Sequence, residues 1–420
     1  MKTSVHSEFG QLEGVIVHQP GSEVENMTPE NAERALYSDI LNLSIATKEF
    51  AQLEGVLNSV TKVFRVKDLL TDILQSDEVK FNLLEKICSY ENEACRVNDL
   101  IQNSPQELSR LLIEGVVLEK NNLTDYLSGE RFLLRPLHNL FFTRDSAMGM
   151  NDHMVIGKMA NPVRERESMI MDAIFSHHPE IKTKTLNPSK PNHGIIFNAK
   201  SKIEGGDFEV VREDVFVIGT GVRTSTQGID FIIENIKQLK REPHHIIVQE
   251  LPSTPESFIH LDMVFTLLNY DSCMIYEQVI TKMNRLRTIH IKIDNSKVTS
   301  IKEVPNILVA LENLGIDLKP ILCGGKNDTW IQEREQWHSG ANFLAVAPGK
   351  VIGYERNSHT IEALNDVGFE VLKANDVIEK KVSINDYEKC VVLIAGSELA
   401  RGGGGARCMT MPICRSELNW

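Results

Sequence analysis

The 420-residue chain predicts an α/β protein, a five-fold pseudosymmetric propeller of ββαβ-type units that carries an inserted helical subdomain. Three observations lead there. The tripeptide Val-Ile-Gly recurs at 155–157, 217–219 and 351–353, at intervals of 62 and then 134 residues, the second close to twice the first. Each copy is followed by an arginine (Arg164, Arg223, Arg356), then by an amphipathic helical pattern and an apolar strand pattern. Between Val66 and Glu130 this rhythm gives way to one helical pattern after another.

Taken in chain order, residues 14–17 read as a first strand. The helical segment follows. Within it Ser104-Pro105-Gln106-Glu107 has an N-cap serine, a proline at the first helical position and a glutamate at the third, a capping box. After the second Val-Ile-Gly copy the helix is expected over 227–240 and the strand over 245–248. Residues 273–276 supply a further strand, and after the third copy come a helix over 360–367 and a strand over 369–372. Setting aside residues 66–135 leaves 350 residues, enough for five units of about 70. The expected organisation is 1–65 as the first part of the propeller, 66–135 as the insertion and 136–420 as the remainder.

Composition narrows the functional classes. Apolar residues are 42% and charged residues 25% of the chain, values of a folded globular protein. A net charge of −13 disfavours nucleic acid and anionic membranes as partners and suits a small cationic ligand. The first residues have neither a basic leader nor an apolar core, and no apolar run approaches membrane-spanning length. Seven cysteines (88, 95, 273, 323, 390, 408, 414), with no Cys-x-x-Cys pair, argue against structural disulfides and a thiolate zinc site. The expected setting is the cytoplasm.

Four clusters carry chemistry. In Arg401-Gly-Gly-Gly-Gly-Ala-Arg407-Cys408 the glycine run lets backbone close around a ligand and presents a cysteine just behind it. No Lys-Ser/Thr follows, so it is not a P-loop. Cys408 reads either as a pocket thiol or as a structural cysteine. His260 and Asp262 lie two apart, so on an extended strand they would share a face. They read as a proton-transfer histidine beside a cation-binding carboxylate, as a surface pair, or as two ligands of a metal for which no further compact histidine set exists. Glu204 precedes Gly205-Gly206, a turn or a close backbone approach, and is either a site carboxylate or a hairpin one. Asp145, after Thr143-Arg144, reads as a cap, a surface ion pair or a site residue.

Together and in this order, Asn139-x-x-Phe142-Thr143-Arg144-Asp145, Glu204-Gly-Gly-Asp207, His260-x-Asp262 and Arg407-Cys408-Met409-Thr410-Met411-Pro412 resemble the active-site motifs of the arginine deiminase family, within the guanidino-group-modifying superfamily. Thr28-Pro29-Glu30-Asn31-Ala32-Glu33-Arg34, Glu333-Arg334-Glu335-Gln336-Trp337 and Gly353-Tyr354-Glu355-Arg356-Asn357 extend the likeness along the chain. The resemblance implies the propeller with its helical insertion. It also implies Cys408 as nucleophile, His260 as general acid and then base, Asp145 and Asp262 as guanidinium clamps and Glu204 as a supporting carboxylate. Arg164 and Arg223 are then the groups that hold the substrate's α-carboxylate, with Asn139 and Phe142 lining the pocket. No cofactor and no metal is implied, and a homo-oligomer, dimer or tetramer, is expected. Many members carry an arginine inside the glycine run; here Gly402 to Gly405 are all glycine, so either Arg401 or Arg407 replaces it or Arg164 and Arg223 suffice. The Leu36-Tyr37-Ser38-Asp39 and Asn187–His193 segments also depart from the family's pattern.

The implied reaction is hydrolysis of free L-arginine to L-citrulline and ammonia through an amidino-cysteine. A planar guanidinium offers five donors that carboxylates can grip at its edges, which fixes the plane for attack on the central carbon. An agmatine or methylarginine hydrolase or an amidinotransferase would use the same groups. A non-catalytic arginine-binding protein and a metal-dependent amidohydrolase are the readings from other classes.

Overall fold

The computed structural model describes residues 1–28, 37, 39–91, 97–190, 200–239, 243–255 and 258–420. Of the expectations above, residues 29–34 of the Thr28–Arg34 motif, Leu36, Ser38, residues 191–193, Lys240 and Cys95 lie outside them.

Five mixed sheets share one local plan: a central strand with an antiparallel neighbour on one side and a parallel neighbour on the other. In the first, Leu12–Val17 stands between Met411–Arg415, antiparallel, and Lys62–Arg65, parallel. In the second, His153–Ile156 stands between Ala147–Met150 and Lys184–Leu186. In the third, Val215–Thr220 stands between Phe208–Arg212 and His244–Glu250. The fourth has Ser272–Ile275 between Phe265–Asn269 and Lys319–Leu322. The fifth has Lys350–Tyr354 between Leu344–Ala347 and Cys390–Ile394. The chain's two ends therefore meet in one sheet, and the fold class is α/β with mixed sheets.

The repeat has a packing cause. The three Val-Ile-Gly copies sit on central strands of the second, third and fifth sheets, or directly at their end. A side chain at each glycine would strike what lies beside it: a Cβ on Gly157 would stand 2.6 Å from the Asp145 carbonyl, on Gly219 2.6 Å from the Asp207 carboxylate, and on Gly353 2.2 Å from the Phe343 ring. The valine and isoleucine that precede them are fully buried or nearly so, as sheets covered on both faces require.

Two sheets depart from the sequence expectation. The third is widened by an antiparallel hairpin, Thr288–Asp294 with Lys297–Val304, whose mostly exposed, polar-rich outer strand masked its periodicity. In the fifth, the strand expected at 369–372 forms as Glu370–Lys373 but takes the sheet's edge, outside Cys390–Ile394. The helices expected after the second and third copies form as Thr226–Ile236, capped by Ser225, and Ser358–Asn365.

Between the first and second sheets run the helices Val66–Ile73, Asp77–Glu91, Val97–Leu100, Pro105–Glu114 and Leu123–Leu127, with a small hairpin of Val116–Val117 and Phe132–Leu134. Ser104 caps the fourth as expected, its hydroxyl accepting the Glu107 N–H at 3.2 Å. Leu69, Leu70, Leu84, Ile87, Leu108 and Leu112 form one apolar cluster with Ile170 and Ile174 of the helix Glu165–His177, so the segment is fused to the second sheet's layer. Contrary to the expectation of no disulfide, Cys88 on Asp77–Glu91 is disulfide-bonded; Cys273, Cys323, Cys390, Cys408 and Cys414 are free and buried. No helix among the described residues is long and apolar enough to cross a membrane.

Candidate active site

In every sheet, the antiparallel neighbour is entered through a short irregular connection, and those five connections carry the site. Asp145 precedes Ala147–Met150, Glu204 and Asp207 precede Phe208–Arg212, and His260 and Asp262 precede Phe265–Asn269. Asn342 precedes Leu344–Ala347, and Arg407 with Cys408 precedes Met411–Arg415. Equivalent positions in a repeated unit thus place five different chemistries side by side.

His260 and Asp262 do not lie on a strand, as their spacing suggested. Leu261–Met263 is a 3₁₀ turn, fixed by the Met263 N–H donating to the His260 carbonyl at 3.2 Å and the Leu261 N–H donating to Asp207 at 2.9 Å. The turn splits the pair: His260 faces Glu204 and Asp145, while Asp262 faces Cys408 and Arg407. The Gly-Gly after Glu204 is both turn and close approach. A Cβ at Gly205 would stand 2.0 Å from the Arg144 carbonyl, and one at Gly206 2.9 Å from Asp145 and 3.0 Å from the His260 ring. Only glycine lets these two groups approach from either side of that backbone.

Asn139, Phe142, Asp145, Arg164, Arg223, His260 and Cys408 line a narrow cavity of about 50 Å³ with the loop Gly402–Gly404. Glu204 and Asp262 stand behind this wall, both fully buried. Gly404 lies against Phe142, where a Cβ would come to 2.5 Å, and Gly403 has φ +85°, a left-handed conformation that favours glycine.

One wall is an ion-paired proton-transfer system. His260 Nε2 bonds Glu204 Oε2 at 2.9 Å and lies 3.9 Å from Asp145 Oδ1. Burial disfavours the imidazolium, but Asp145 and Glu204 outweigh it and raise His260 to about 9. Burial works against the Glu204 carboxylate too, yet Arg223, 3.6 Å away, and His260 hold it down to about 2. Asp145 is fully engaged: Arg164 Nη1 donates to Oδ2 at 2.6 Å and the Gly206 N–H to Oδ1 at 3.2 Å. Arg164 also pairs with Glu167 at 2.8 Å and donates to the carbonyls of Phe142 and Asn139.

The other wall holds the thiol. Asp262 Oδ2 accepts from Arg407 Nη1 at 2.8 Å and faces Cys408 Sγ at 3.6 Å, while Asp262 Oδ1 is buried with no hydrogen-bond partner among the described residues. Burial first, and then the Asp262 and Asp145 charges, push the Cys408 thiol well above its ordinary value. Arg407 is held in turn by Glu8 at 3.1 Å, so it serves Asp262 and is not the replacement for an arginine in the glycine run. Arg401 is exposed and pairs with Asp39 at 3.0 Å.

Asn342 was missed in the sequence. Its Nδ2 donates to Cys408 Sγ at 3.1 Å and to the Asp262 carbonyl at 3.0 Å. Its Oδ1 accepts the N–H groups of Arg407 at 3.0 Å and Cys408 at 3.2 Å. The one signal for it was positional: it is the fifth unit's counterpart of Asp145 and Asp262.

Among the described residues, Asp145, Glu204 and His260 bring ligand-type atoms within 4.8 Å of one another. Arg164 and Arg223 already balance both carboxylates, and an imidazole raised to about 9 is a cation at neutral pH. A protonated ring is not a metal ligand, so this donor set fits an organic cation better than a metal ion.

The family model described as arginine deiminase matches residues 33–415. An arginine deiminase of Listeria monocytogenes is 32% identical, over 99% of this chain and 98% of its own length. One of Bacillus cereus is 32% identical over the full length of both, and one of Oenococcus oeni 30% identical over 99% and 97%. Among solved structures, the N-terminal domain of an arginine dihydrolase from the ornithine-ammonia cycle in Cyanobacteria superposes with a TM-score of 0.54 at 12% identity, covering 96% of this chain and 99% of that one. An amidinotransferase from Microseira wollei superposes with a TM-score of 0.52 at 14% identity over 99% and 98%. At such identities these two likenesses speak for the fold alone.

Proposed function

The chain belongs to the arginine deiminase family, and from that premise we propose how its site works. The protein hydrolyses free L-arginine to L-citrulline and ammonia. The observation that carries our assignment of roles is the buried Asp262 Oδ1, without a partner among the described residues, on the carboxylate whose other oxygen lies 3.6 Å from Cys408 Sγ. A buried carboxylate oxygen left bare is costly, and a guanidinium N–H is the donor it lacks.

The guanidinium enters with its plane between Asp145 and Asp262. In the free protein the thiol is protonated and His260 is a cation. The arriving positive charge offsets the two carboxylates that disfavour the thiolate, so substrate binding itself promotes transfer of the Cys408 proton to solvent. Sγ attacks the central carbon. His260 then gives its proton to the departing nitrogen, which leaves as ammonia, and an amidino-cysteine remains. Neutral His260 next takes a proton from water and the hydroxide adds to the same carbon; as the C–S bond breaks the new hydroxyl gives up its proton to solvent and the departing sulfur is reprotonated, which releases citrulline. The sum is arginine plus water giving citrulline plus ammonia.

Arg223, partly exposed at the cavity wall, is positioned for the α-carboxylate. Arg164 serves there only through what its bonds to Asp145 and Glu167 leave free, so we assign it chiefly to fixing Asp145. The five sheets, with the chain ends joined in the first, support the finer fold reading of a closed five-unit propeller with 66–135 inserted. Ammonia release from arginine, agmatine and methylarginine, measured side by side, tests the function. Arginine should lead, and Arg223→Ala should cut its kcat/KM roughly ten- to hundred-fold while narrowing its lead over agmatine. Equal turnover of arginine and agmatine by the wild type would overturn the carboxylate assignment.

A further inference from the structure

A second cavity of about 380 Å³ lies in the seam between the helical segment and the second sheet's layer, within the range of small-molecule sites. Tyr90 and Phe132 form its wall on the helical side, Pro162 and Val163 its wall opposite. Arg166 projects into it from Glu165–His177 and is only 1% exposed, yet its Nε and Nη1 have no hydrogen-bond partner among the described residues. Glu91 comes to 3.3 Å from Nη1 as an ion pair without hydrogen-bond alignment, and Nη2 donates to the Arg135 carbonyl. A buried guanidinium with two unused donor nitrogens is an uncommon expense in a folded protein, because burial disfavours the charge and each bare N–H forgoes its bond.

We propose that this cavity is a second ligand site, for a zwitterionic α-amino acid with a neutral apolar side chain. Arg166, with Nε and Nη1 unused, takes the carboxylate by charge-assisted hydrogen bonding. Glu91 takes the ammonium. A simple anion would meet the Glu91 charge at close range, whereas a zwitterion satisfies both groups and leaves its side chain to Tyr90, Phe132 and Val163. The site borders the catalytic cavity, and Asn139 lines both. Glu167, one residue beyond Arg166, lines it and holds Arg164 at 2.8 Å, and Arg164 holds Asp145 at 2.6 Å. Occupancy can therefore reach Asp145 through two buried ion pairs.

The probes are L-alanine, L-leucine and L-methionine, none of which carries a guanidine. Calorimetric titration uses the full chain as Cys408→Ala, saturated with L-arginine so that the catalytic cavity is filled. At least one probe should bind at one per chain, and its affinity should fall tenfold or more in both Glu91→Gln and Arg166→Lys backgrounds. Leucine's half-molecules, 4-methylpentanoate and isopentylamine, should bind more weakly than leucine. Glu91 is partly exposed, so its variant tests the site even where Arg166→Lys perturbs the core. No binding of any probe up to 10 mM, displacement of the probe by arginine, or an affinity unchanged in Glu91→Gln would overturn the proposal. Displacement would make the cavity a vestibule of the catalytic one.

Discussion

The two walls of the catalytic cavity use the same residue types in opposite ways. On one, Asp145 has both oxygens occupied, and His260, Glu204, Arg164 and Arg223 form a closed set of ion pairs. On the other, Asp262 keeps one oxygen bare beside a protonated thiol, with Arg407 and Asn342 holding the remaining atoms in place. The first wall is preorganised and keeps a proton ready to give. The second is left short of one cation, and only the substrate completes it. The difference teaches that unsatisfied polarity, more than the count of charged groups, marks where substrate is bound and where chemistry starts.

The largest effect should come from the incomplete wall. Cys408→Ser is expected to lower kcat by roughly 10⁴-fold or more with the fold retained, while Cys414→Ser, six residues on, stays active. A dead Cys414→Ser beside an active Cys408→Ser would reverse the assignment.

Exchanging the two carboxylates sharpens the contrast. Asp262→Asn strips Arg407 of one of its two close buried carboxylates, and chemical denaturation should show a loss on the order of 3 kcal/mol. Asp145→Asn leaves Arg164 with Glu167 and two carbonyls, so about 1 kcal/mol is expected. Both should lose arginine turnover heavily. Equal stability losses would mean the walls are not built differently.

Asn342 tests whether the thiol needs holding. Asn342→Ala removes two bonds to the Cys408 backbone and sulfur, and kcat should drop roughly ten- to hundred-fold with KM little changed. An unchanged kcat would reduce Asn342 to packing.

The smallest effect is in pH. His260 must be an imidazolium to protonate the departing nitrogen, so kcat/KM should fall about tenfold per unit as pH rises through about 9. Its folded value lies above the ordinary 6.5, so the stability it contributes is complete below that pH and is lost by about 9. A limb near 6.5 in the free enzyme's profile would show that Asp145 and Glu204 do not hold the cation.

What could be read from the sequence follows the same division. The glycines were legible because close approach leaves no other residue possible, as at Gly205 and Gly206, and they flagged Glu204 and Cys408 nearby. The repeat was legible because every Val-Ile-Gly glycine is pressed by a neighbouring strand or turn. Asn342 was not, since an asparagine between Ala341 and Phe343 has no local signature. Its role depends on Cys408, 66 residues away. The Glu8–Arg407 pair spans 399 residues and was equally hidden. The turn at His260-x-Asp262 was not legible, because nothing local announces that Asp207 will draw in the Leu261 N–H. The hairpin Thr288–Val304 escaped because its outer strand alternates poorly.

The central claim is that the bare oxygen of Asp262 and the thiol beside it receive the guanidinium and form a covalent bond to its carbon. Acid-quenched, single-turnover mass spectrometry with L-arginine measures this directly. The account predicts an adduct of arginine less ammonia on the peptide containing Cys408, absent in Asp262→Asn. Turnover with no adduct at any time point, or an adduct carried by Cys414 instead, would contradict it.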